Sequence, residues 1–70
     1  MTHYLALTQR HCRYDFDIIL IDICDSEEAA LKAIDSFKDG LHVCDRKSYT
    51  YFKVVKKEQG HIEILHEFLY

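Results

Sequence analysis

Tyr14-Asp15-Phe16-Asp17-Ile18-Ile19-Leu20-Ile21-Asp22-Ile23-Cys24, followed at once by Asp25-Ser26-Glu27-Glu28, is the stretch on which the reading of this 70-residue chain turns. Segment 14–24 is rich in β-branched isoleucine, whose stiff side chain suits a pleated, half-buried surface, so it reads as a strand. The residues after it signal helix entry. Asp25 can cap free amides, Glu28 stands three residues on in the capping-box position, and Glu27 adds negative charge where the helix dipole is positive.

The helix is expected to begin at about Ser26. Ala30, Ala33, Ile34, Phe37 and Leu41 recur at helical spacing, while Glu28, Lys32, Asp35 and Asp39 fall mainly on the opposite side. Gly40, after Lys38 and Asp39, is a natural left-handed stop, so the helix is expected to run to about Asp39.

Outward from this unit, Thr2 to Gln9 reads as a first strand and Arg10 to Arg13 as a polar connection. Residues 41–47 form a second connection, with room for a short extended piece at Leu41 to Cys44. Ser48 to Lys57 reads as a third strand, Glu58-Gln59-Gly60 as a hairpin turn, and His61 to Tyr70 as a fourth strand. The order is ββαββ in one α+β domain spanning residues 1–70. Its simplest architecture is one helix packed on one face of a mostly antiparallel four-stranded sheet. A three-stranded core sheet with a terminal strand used elsewhere is the alternative.

Hydrophobic residues make up 49% of the chain and charged residues 30%, a globular balance rather than a disordered one. A chain this short buries a smaller share of its surface than a larger one, and pairing into a homodimer is a common remedy. Three cysteines, Cys12, Cys24 and Cys44, form no disulfide framework, and the amino terminus shows no signal-peptide pattern, so a cytoplasmic location is expected. The longest uncharged apolar run, Ile18 to Ile21, is far too short to cross a bilayer, so no membrane partner is expected.

The parity of the second strand carries the functional reading. If Ile19, Ile21 and Ile23 face the helix, strict alternation sends Phe16, Ile18 and Leu20 to the other face. Tyr49, Tyr51 and Val55 join them if Phe52 and Val54 face the helix. An apolar, tyrosine-containing outer face of this kind suits protein binding. The competing structural explanations are a bulge that switches parity and a fold-back of Phe68 to Tyr70 over the patch.

Other constellations carry less. His11 beside Cys12, and His42 one residue from Cys44, lack the paired spacing of a zinc module, so no metal or other cofactor is expected. Adjacent residues on a strand point to opposite faces, which disfavours a Cys12–His11 dyad. With only Gly40 and Gly60, no glycine-rich phosphate loop can form, and the chain is not expected to be an enzyme.

Asp15, Asp17, Asp22, Asp25, Glu27 and Glu28 concentrate negative charge around the second strand and helix start, most simply as a solvated face and helix caps. Arg46, Lys47, Lys53, Lys56 and Lys57, interleaved with Tyr49, Tyr51 and Phe52, form the alternative site, a small RNA- or DNA-binding strand. The net charge of −3, with Glu58, Glu63 and Glu67 close by, weighs against a polyanionic partner.

The run Ile21-Asp22-Ile23-Cys24-Asp25-Ser26-Glu27-Glu28-Ala29-Ala30-Leu31 resembles the strand-to-capped-helix signature of short phage and mobile-element proteins of the DpnD/PcfM-like group. The likeness covers about residues 19–37; the hairpin from Ser48 to Tyr70 departs from the pattern, and no functional residue carries across. The resemblance implies a phage-encoded viral protein that inhibits a host defence complex, as anti-CRISPR proteins do, by occupying a surface in the host cytoplasm.

Overall fold

The computed structural model describes residues 2–11, 16–42 and 45–69, with Phe16 described by its backbone alone. Strand β1 (Thr2–His11) is followed by β2 (Phe16–Cys24), helix α1 (Glu27–Asp39), β3 (Tyr49–Glu58) and β4 (His61–Leu69). All four strands join one sheet in the order β2-β1-β3-β4, every neighbouring pair antiparallel. This is the expected ββαββ α+β arrangement, and the three-stranded alternative does not occur. Strands β2 and β3 both run antiparallel to β1, so they are parallel to each other, and α1 joins them across β1 as parallel connections require.

Helix entry differs from the expectation by one residue. Ser26, not Asp25, is the N-cap: its backbone is extended (φ −146°, ψ 158°) and its Oγ accepts from the Ala29 amide at 3.1 Å. A serine hydroxyl there satisfies one of the orphan donors of the first turn. Glu28 is thereby freed from a capping box and lies 3.7 Å from Lys32 one turn on. The helix end also differs. Gly40 has φ −84°, in the right-handed region, and donates to the Ser36 and Phe37 carbonyls at 3.2 Å, so no left-handed stop is used.

Ala30 and Ile34 carry the buried stripe of α1 onto Ala6, Cys24, Phe52 and Val54. Phe52 is fully enclosed, with Phe37 edge-on at 6.2 Å, Phe68 stacked at 5.9 Å and the Lys38 ammonium 5.0 Å from its ring centre. Thr8, the one buried polar residue among those described, donates its hydroxyl to the Tyr51 carbonyl at 3.0 Å. That bond removes the cost of burying it.

Three irregularities in the ladders set which side chains face the helix. The β1–β2 register skips Ile21, the β1–β3 register skips Thr50, and the β3–β4 register skips Leu65. Each is a bulge, in which two residues oppose one and parity changes beyond it. Among the described residues no helix is long and apolar enough to cross a membrane.

Candidate protein-binding face

The registers assemble the sheet face remote from α1 row by row. One row runs Ile23–Leu5–Val55–Ile64 and is apolar across all four strands. On one side of it lies Leu20–Leu7–Lys53–Glu67, then Ile18–Gln9–Tyr51–Leu69; on the other lies His3–Lys57–Ile62.

The bulges explain this composition. Because Ile21 is the extra residue of β2, both Ile21 and its neighbour Asp22 turn toward the helix side, where Ile21 packs against the core. Ile23 is thereby sent outward, which corrects the expectation that Ile19, Ile21 and Ile23 share the helix face. In β4 the same device turns Leu65 and His66 inward and leaves Ile62 and Ile64 outside. A bulge therefore does switch parity, but it adds to the outer face instead of hiding it.

Exposure follows from these positions. Ile18 is 65% exposed, Leu20 49%, Ile23 55%, Ile62 68%, Ile64 51% and Leu69 76%, and all six belong to the outer face of the two edge strands. Val55, in the middle of the all-apolar row, is buried by its neighbours. The contiguous apolar part of this face is the Ile23–Leu5–Val55–Ile64 row with Leu7 and Leu20 beside it, and large exposed patches of apolar residues mark interaction sites. The fold-back explanation fails for its described part: Phe68 stacks on Phe52 on the helix side, and Leu69 stays in β4 on the outer face.

Of the residues expected on this face, Ile18, Leu20, Tyr51 and Val55 are there. Tyr49 is not. The Thr50 bulge turns it to the helix side, where its ring meets Phe37 edge-on at 5.2 Å. The side chain of Phe16 lies outside the described residues. The sequence reading missed Leu5, Leu7, Ile23, Ile62, Ile64 and Leu69; the alternation of Ile62 and Ile64 with Glu63 was the available signal for two of them.

The polar residues of these rows, His3, Gln9, Tyr51, Lys53, Lys57 and Glu67, are partly matched. Lys53 is directly across from Glu67, and the Tyr51 hydroxyl donates to the same carboxylate, which raises the phenol above its ordinary range, with burial and the Glu67 charge adding to the effect. Two shallow hollows interrupt the surface. One, of 260 Å³, is lined by His3, Leu5, Leu20, Ile23 and Lys57; the other, of 200 Å³, includes Leu7, Gln9, Ile18, Tyr51 and Lys53.

The cations of the alternative nucleic-acid site are not gathered on one face. Lys53 and Lys57 are outward, Lys56 lies on the helix side opposite Glu63 and 3.7 Å from Glu58, and Arg46 and Lys47 occupy the turn at residues 45–48. Phe52, expected among the stacking rings, is enclosed in the core.

Cys24 is buried beside the helix start, and burial, followed by the charge and hydrogen bond of Asp22 and the charge of Asp25, pushes its thiol up. A thiol so held is a poor nucleophile. Cys12 and Cys44 lie outside the described residues. Among the described residues no group of three or more histidine, cysteine or acidic side chains is placed to hold a metal ion.

No family model matches the chain, and no curated protein or solved structure is significantly similar to it.

Proposed function

We propose that this protein is a small binding module that docks another protein on the open face of its sheet, without catalysis. The observation that carries this reading is the row Ile23–Leu5–Val55–Ile64 with Ile18, Leu20, Ile62 and Leu69 around it, an apolar surface that the single helix cannot reach. Exposed apolar groups with a tyrosine among them are typical anchors of a protein interface.

The edges of the sheet favour the face as the docking element. An edge strand recruits a partner by extending the ladder, and a bulge disrupts that template. Both edge strands carry one, Ile21 in β2 and Leu65 in β4.

A pull-down from bacterial lysate tests the reading. A stoichiometric protein partner is expected with the wild type and is expected to be lost with Leu20→Asp, while far-ultraviolet circular dichroism stays unchanged. Retention of the partner by both Leu20→Asp and Ile64→Asp would sink the idea. The narrower form of the proposal is a phage-type inhibitor that occludes a host defence complex. It rests on the resemblance of Ile21–Leu31 and requires that the captured partner be a defence component whose activity falls when the protein is added.

A further inference from the structure

We draw no further inference here: the strongest candidate, the apolar sheet face around the Ile23–Leu5–Val55–Ile64 row, belongs to the docking site already described, and nothing in the structure shows what covers it.

Discussion

Ile21 and Leu65 are the extra residues of the two edge strands, and they flank the same inner row, Asp22–Ala6–Val54–His66, on its opposite sides. Both send their side chains into the core under α1, so each edge contributes an additional apolar group to the covered face. Removing Ile21 altogether leaves Leu20 opposite Leu7 and Asp22 opposite Ala6, so every other residue of β2 keeps its face. The deletion variant is expected to fold, less stable by about 2 kcal/mol through the lost side chain. Its straightened edge is expected to aggregate faster than wild type. Urea denaturation and light scattering measure the two effects.

Phe52 is the centre of the aromatic packing, touching both the helix side through Phe37 and the edge strand through Phe68. Phe52→Ala is expected to cost about 3–5 kcal/mol, a large share of the stability of a small domain. Phe52→Leu, which retains most of the volume, is expected to cost less than half as much. Thermal unfolding of the two variants separates loss of volume from loss of ring packing.

The ββαββ order was legible because each element carries its own local signal: isoleucine in β2, the acidic helix start, and the Gln59-Gly60 turn. The outer face was legible only in part. Parity extrapolates correctly until a bulge intervenes, and the positions of Ile21, Thr50 and Leu65 depend on pairing between distant strands, which no local pattern records. Tyr49 was misassigned for that reason, and Ile23 likewise. The exposed character of β4 depends on its being an edge strand, a property of sheet order rather than of residues 61–69 themselves.

The two glycines are expected to respond in opposite ways to substitution by alanine. Gly40 has a right-handed backbone, and an added Cβ would meet the Ser36 and Phe37 carbonyl oxygens at an ordinary 3.6 and 3.7 Å. Gly40→Ala is therefore expected to stabilise by about 0.4–1 kcal/mol, by restricting the unfolded chain. At the β3–β4 turn, Gln59 (φ 45°) and Gly60 (φ 82°) are both left-handed, as a two-residue hairpin turn of the primed type requires. Gly60→Ala is expected to destabilise by about 1 kcal/mol, and Gln59→Asn to stabilise by a few tenths. Chemical denaturation midpoints provide the check.

Glu27, in the first turn of α1, bonds the ring Nε2 of His66 on β4, and with Leu65 and Phe68 this contact ties the outer strand to the helix layer. Glu27→Ala is expected to cost about 0.5–1.5 kcal/mol, from the lost bond and the lost charge at the helix start. Faster amide hydrogen exchange is expected in β4 than in β1, which is paired on both sides. Uniform acceleration across the sheet would show that the contact does not act on β4 in particular.

Alkaline pH is expected to weaken the fold through two groups. Burial, with Asp22 and Asp25, raises the Cys24 thiol above its ordinary 9.0, and the Glu67 hydrogen bond, then burial and charge, raises the Tyr51 phenol above its ordinary 10.0. Both hold their protons more firmly when folded, so the unfolded chain releases protons first as pH rises. Their contribution is complete below the ordinary values and is lost as pH climbs through the raised ones. Denaturation midpoints measured from neutral pH upward are expected to fall first with the thiol and then with the phenol. Cys24→Ala removes the earlier decline and Tyr51→Phe the later one. An unchanged profile in both variants would mean that neither group is linked to folding.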